Sequence, residues 1–222
     1  MNNMISENVK RLLQEVPEYN KYDEKIVIVG ATKTRTVEEI NLAISAGLTD
    51  IGENKAQEFR DKYPFVLPCN YHFFGRLQKN KVKYLIGKAC LIQSVDSVDL
   101  AREISAQSEK AGVETSILLE VNQGEQQKGG FPIDDVLPAF KEISAMKNLK
   151  VKGVMTVLPL LDEKTFERCL QTRKLYDILK KESKDISILS MGMSADYKIA
   201  IDAGSNMIRV GHAVFGKRDY EL

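Results

Sequence analysis

Eight short runs rich in β-branched residues, each separated from the next by a longer stretch of helical period, constrain this chain more than any single motif does. The runs are "KIVIVGAT", "LTDIGE", "YHFFGR", "CLIQSV", "TSILLEVN", "VKGVMTV", "ISILSMG" and "MIRVGHAVF". Between them lie "TVEEINLAISAG", "DLAREISAQSEKAG", "FERCLQTRKLYDILKKES" and "ADYKIAIDAG", whose apolar residues recur at steps of three and four. Alternation of this kind builds βα units around a parallel sheet. Thr36 followed by Glu39 has the spacing of a capping box at a helix start. Ala46-Gly47, Ala111-Gly112 and Ala203-Gly204 close helices where glycine tolerates a left-handed turn.

Eight such units predict an α/β fold, a single (β/α)8 TIM barrel, with the polar, amphipathic opening "MNNMISENVKRLLQEVPEYN" as an extra N-terminal helix. The 222 residues suffice for one good-sized core, so residues 1–222 are read as one domain. An open doubly wound sheet is the competing architecture. It favours a glycine-rich phosphate loop after its first strand, where "GATKTRT" has only Gly30.

Composition excludes several functions. With 32 basic and 31 acidic side chains and a net charge of +1, no field of one sign is available for nucleic acid or an anionic membrane. The opening stretch lacks the apolar run of a signal peptide, and no run of 18 apolar residues occurs, which gives a cytoplasmic, soluble expectation. Cys69, Cys90 and Cys169 are far apart and without C-x-x-C spacing, and they read as reduced packing residues. His72 and His212 are too few and too separated for a metal site, so no metal is expected.

In a barrel the strand C-termini carry the chemistry. Lys33 falls on that rim, with "GEN" at residues 52–54, Arg76 with "LQKNK", "QSVDS", "NQGE", "LP" and "SMGMS". Two readings of Lys33 stand: a charge that snorkels to water, or an amine freed of its proton in a partly dry mouth and able to attack an aldehyde. In "MIRVGHAVFG" the period of two puts Met207, Arg209 and Gly211 on one face, so Arg209 points inside the barrel if Ile208 and Val210 face the helices. A guanidinium there needs a bound ligand or an internal carboxylate such as Glu53 or Glu120. Ser190, Gly192 and Ser194, with the Gly211 and His212 amides, offer an anion site in the loops after the seventh and eighth strands, although Ser194 reads equally as a helix N-cap.

The stretches "IVIVGATKTRT", "IGENKAQEF", "YHFFGRLQKNK", "IQSVDS", "GVMTVLP" and "LSMGMSADYKIAIDAGSNMIRVGHAVFGKRDY" closely resemble the pyridoxal phosphate homeostasis proteins, relatives of the N-terminal barrel of alanine racemases. The resemblance runs from about Ile26 to Tyr220. It implies that Lys33 holds pyridoxal 5′-phosphate as an internal aldimine, that Ser190, Ser194, Gly211 and His212 line its phosphate end, that Arg209 faces the pyridine nitrogen and that Asn54 lies near the ring. It further implies a non-catalytic carrier or buffer of the cofactor, with no catalytic residues and with cofactor-dependent apoenzymes as recipients.

Arginine beside the pyridine nitrogen disfavours its protonation and weakens carbanion stabilisation; the resemblance implies that racemases tolerate such an arginine but bring a second acid/base domain, for which the barrel is expected to leave no residues here. The competing functions are a slow racemase or decarboxylase of amino acids and a Schiff-base aldolase. Three features depart from the family pattern: His212 where threonine is commoner, Arg35 where a second lysine is common, and Gly30-Ala31 ahead of Thr32 and Lys33. Lys128 reads as a solvated loop lysine or a secondary aldehyde-binding amine, and His72 as a packed histidine or a group leaning to the ring. With no heptad or large apolar stripe, a monomer is expected.

Overall fold

The computed structural model describes residues 2–124 and 129–216. A first helix, α1 (Asn2–Glu15), precedes β1 (Val27–Ala31), α2 (Val37–Ser45), β2 (Asp50–Glu53), α3 (Ala56–Lys62), β3 (Asn70–Phe73) and β4 (Leu91–Val95). There follow α4 (Val98–Ala111), β5 (Thr115–Asn122), the two-residue β6 (Phe131–Pro132), α5 (Val136–Ser144), β7 (Leu149–Thr156), α6 (Thr165–Glu182), β8 (Ile188–Ser190), α7 (Tyr197–Asp202), β9 (Met207–Val210) and α8 (His212–Phe215). The strands are ordered β4-β3-β2-β1-β9-β8-β7-β5, and a pairing of β4 with β5 closes the ring. Every pairing is parallel, and β6 adds to the end of β5 outside the ring. This is the expected eight-stranded TIM barrel, and the open sheet is excluded by its closure.

Local chemistry accounts for the element ends. Thr36 and Glu39 form the capping box, Thr36 Oγ1 accepting from the Glu39 amide and the Glu39 carboxylate from the Thr36 amide. Gly112 ends α4 at φ 67°, a conformation that carries no steric cost only without a Cβ. Helix α1 buries Ile5, Val9 and Leu12 in one stripe, continued by Val16 just past its end, and packs on α2 and α8. Each fully buried aliphatic side chain there contributes roughly 1.5–3 kcal/mol.

Two elements differ from the sequence expectation. After β3 the chain forms a 3₁₀ segment, Lys79–Tyr84, where an α-helix would complete the unit. Its lysines alternate with Val82 and Tyr84, a spacing that leaves only Val82 buried. The eighth run, "MIRVGHAVF", keeps its strand only to Val210, and residues 212–215 turn into α8.

The barrel wall separates two apolar sets. Val29, Leu91, Leu118, Met155 and Met207 fill the interior, while Ile208, Val210 and most other core residues pack outward under the helices. Arg209 alternates with Ile208 and Val210 and is therefore turned inward with 4% of its surface exposed. No described helix is long and apolar enough to cross a membrane, and no cluster of metal-ligating side chains occurs among the described residues.

Candidate functional site at the strand C-termini

Register sets the depth of each side chain. Ala31 on β1 pairs with Gly52 on β2, so Lys33 and Asn54, two residues further along each chain, leave the barrel at one level. Val29 pairs with Arg209 on β9, which places the guanidinium one layer lower. Between them lies a cavity of about 290 Å³ lined by Ala31, Lys33, Asn54, Phe74, Val157, Met193, Ser194, Ala195, Arg209, Gly211 and His212. Small-ligand pockets begin near this size and mix apolar walls with a few convergent polar groups in the same way.

Lys33 is followed by Thr34 at φ 64°, a left-handed conformation costly for a β-branched residue. What holds it is a part-buried cluster that sequence reasoning missed. Lys62 Nζ on α3 donates to Glu53 Oε1 at 2.6 Å, to Glu58 Oε2 at 2.8 Å and to the Thr32 carbonyl at 3.0 Å. Glu58 in turn accepts from the Thr34 amide at 3.0 Å, and Thr32 Oγ1 lies 2.8 Å from Glu53 Oε1. Glu53, fully buried, is thus neutralised by Lys62, and the backbone on both sides of Lys33 is pinned. The signal for this cluster was the glutamate of "GEN" at a buried strand end; its lysine partner lies nine residues on, at the far end of α3.

Asn54 Oδ1 is buried and has no hydrogen-bond partner among the described residues. Gly75 makes its position possible, since a Cβ there would stand 1.8 Å from the Asn54 carbonyl oxygen. Such an orphaned acceptor facing a cavity costs about 1–3 kcal/mol unless a ligand donor reaches it.

Arg209 donates from Nη1 to Ser190 Oγ at 2.6 Å and from Nη2 to the Thr156 carbonyl at 2.8 Å. Neither Glu53 nor Glu120 forms an ion pair with it; Glu53 belongs to Lys62, and Glu120 acts on Arg209 only through its field. Burial pushes the guanidinium down to about 10, against the opposing pull of Glu120 and Asp196.

Ser190 is fully buried beneath the cavity and does not line it, its hydroxyl being engaged by Arg209 and by Gln93. Ser194 Oγ accepts from the Gly211 amide at 3.2 Å, so these two are joined at the far end, where His212 is exposed at the start of α8. Of the seven residues singled out from sequence, Lys33, Asn54, Ser194, Arg209, Gly211 and His212 share the cavity wall.

The remaining candidates have other surroundings. His72 is a buried histidine bonded to Asp50 and Gln93, below the cavity. Arg35 pairs with Glu39 at 3.2 Å, donates to the Gly216 carbonyl and lies over the Phe215 ring, so it braces α8. Arg76 is exposed and borders a separate depression with Lys79 and Asp96. Burial pushes the Cys169 thiol up to about 12 and the Cys69 thiol to about 11, as packing residues require. Lys128 lies outside the described residues. A larger depression, about 660 Å³, is walled by Asn122, Asp134, Glu167 and Arg168, with none of the convergence of the first.

Comparison with known proteins identifies the family. Residues 3–219 match the family described as "Alanine racemase, N-terminal domain". The "Pyridoxal phosphate homeostasis protein" of Aquifex aeolicus is 41% identical over 201 residues, covering 87% of each chain. PipY of Synechococcus elongatus, solved with PLP bound, superposes with a TM-score of 0.85 at 26% identity over 96% of this chain and all of that one. An alanine racemase of Clostridium difficile superposes with a TM-score of 0.79 at 17% identity, over 99% of this chain and 60% of that one, a likeness of fold alone. The chain belongs to the family of the alanine racemase N-terminal domain and, within it, to the pyridoxal phosphate homeostasis proteins.

Proposed function

We propose that this protein binds pyridoxal 5′-phosphate in the cavity between Lys33 and Arg209 and serves its homeostasis, holding and releasing the cofactor without significant turnover. The observation that supports this best is the set of unmet groups around one cavity: a half-buried amine at Lys33, an orphaned carbonyl at Asn54 and a guanidinium satisfied only by neutral oxygens at Arg209. They fit the molecule, which carries an aldehyde, a ring hydroxyl, a ring nitrogen and a phosphate. When bound, it supplies an aldehyde that condenses reversibly with an amine.

In this reading Lys33 provides that amine, held in place by the strained Thr34 turn and the Lys62 cluster. Asn54 Oδ1 receives the ring hydroxyl. Arg209, a donor at every nitrogen, faces the ring nitrogen and keeps a proton off it. Ser194, Gly211 and His212 stand at the phosphate end, and Phe74, Val157 and Ala195 keep water from the ring faces. Ser190 enters only through Arg209.

Arg209 supports the non-catalytic role, because an unprotonated pyridine is a poor electron sink. The same reading takes the chain as a cytoplasmic monomer of one domain, passing cofactor to apoenzymes that depend on it. The test is an absorption spectrum of the protein with added pyridoxal phosphate beside a Lys33→Ala variant. A visible band in the wild type and none in the variant is expected, with no racemisation above blank in a chiral amino-acid assay. A colourless wild type overturns the reading.

A further inference from the structure

The interior of a (β/α)8 barrel is ordinarily filled by branched aliphatic side chains. Here a file of polar groups crosses it. Arg209 Nη1 donates to Ser190 Oγ at 2.6 Å, Ser190 Oγ donates to Gln93 Oε1 at 2.7 Å, Gln93 Nε2 lies 3.1 Å from His72 Nδ1, and His72 Nε2 lies 2.9 Å from Asp50 Oδ1. The five residues come from β9, β8, β4, β3 and β2, and each is buried. Asp50 on β2 and Arg209 on β9 both pair with Val29 of β1, so the file leaves one neighbour of β1, crosses the barrel interior and returns to the other.

Its polarity is fixed from both ends. An arginine can only donate, so Ser190 receives there and must give its own proton onward. Gln93 then turns its carbonyl to Ser190 and its amide to His72, which must offer a lone pair at Nδ1 and carry its proton at Nε2. A carboxylate can only accept, so Asp50 demands the same arrangement from the other side. Burial opposes ionisation of Asp50, but hydrogen bonds from His72 and Thr49 outweigh it and hold the carboxyl below its ordinary range. A proton on His72 Nδ1 would force Gln93 to rotate and leave the Ser190 proton without an acceptor.

We infer that Asp50, His72, Gln93 and Ser190 form a one-way hydrogen-bond relay that positions Arg209 toward the cavity from across the barrel interior. They are positioning residues, none of which lines the cavity. The part concerning bound cofactor rests on the function proposed above; the relay itself does not.

The test therefore has two arms. In ligand-free protein at neutral pH, ¹⁵N NMR of the His72 ring is expected to show the Nε2–H tautomer, with Nδ1 unprotonated. In Gln93→Glu, whose carboxylate can only accept, Nδ1 gains a proton and both ring nitrogens read as protonated. A wild-type Nδ1–H tautomer, or a Gln93→Glu ring that stays unchanged, overturns the relay.

The second arm is the absorption maximum and affinity of bound pyridoxal phosphate. Ser190→Ala, a small deletion that the barrel tolerates more readily than a buried carboxylate, is expected to shift the maximum and weaken affinity about tenfold. A merely structural role lowers the melting temperature and leaves the maximum in place, which would overturn the positioning of Arg209. A wild type that binds no cofactor refutes the proposed function alone, and the ring tautomer still decides the relay.

Discussion

Two arginines are buried to nearly the same degree, Arg173 at 6% exposed and Arg209 at 4%, yet they are satisfied in opposite ways. Arg173 lies at the rim where β1 and β9 begin. It pairs with Glu24 at 2.7 Å and Asp177 at 2.9 Å, donates to the Gly204 carbonyl and lies 3.8 Å from the Tyr22 ring centre. Burial pulls its pKa down, but the hydrogen bonds to Asp177 and Glu24 outweigh that and raise it. Among the described residues Arg209 has a serine hydroxyl and a peptide carbonyl as its acceptors, and its pKa is pushed down. A guanidinium surrounded by carboxylates is a staple. One left with neutral oxygens on a cavity wall has electrostatic capacity to spare for a ligand.

The strongest way to break this contrast is substitution. Arg173→Ala leaves the half-buried Glu24 with Lys180 as its remaining cation and should cost about 3 kcal/mol, or about 6–12 °C in melting temperature. Arg209→Met removes a desolvated charge without stranding a carboxylate and should change stability by no more than about 1 kcal/mol while weakening pyridoxal phosphate binding. Calorimetry on both variants decides, and equal losses would erase the distinction.

A smaller effect is expected in acid. Burial raises the Glu24 carboxyl, but hydrogen bonds from Lys180, Arg173 and Asn20 outweigh it, so its folded pKa lies below the reference 4.5. The unfolded chain then binds the proton more tightly. Stability from Glu24 is complete above 4.5 and is lost as pH falls through the lower folded value. Denaturant titrations stepped downward in pH should show a shallower acid decline in Glu24→Gln than in wild type; parallel curves would remove Glu24 from the account.

The smallest change sharpens the same contrast at the mouth. Thr34→Gly relieves a left-handed threonine and should raise stability by about 0.5–1 kcal/mol in chemical denaturation. A loss instead would mean that the threonine side chain contributes more than its backbone costs.

Much of this was legible in the residues. Lys33 follows a buried β-branched run, and Arg209 alternates with Ile208 and Val210, so period alone put the first at a strand end and the second inside. Ser190 was harder to place. Sequence put it beside Ser194 because both fall in one loop-and-strand stretch, but a residue still within β8 points into the barrel, whereas four residues later the chain has left the wall.

The sequence by itself determined the eight strands, the helix caps and the rim on which the chemistry sits, because these follow from periodicities of two and 3.6 and from the local needs of helix ends. Tertiary structure alone decided who satisfies whom. Lys62 neutralises Glu53 from the end of α3, Ser190 meets Gln93 from 97 positions away, and Gln93 joins His72 to the serine that holds Arg209. Those partners are chosen by ring closure and strand register, and a buried polar group must take whatever acceptor or donor that register brings within 3 Å or so, however distant in the chain.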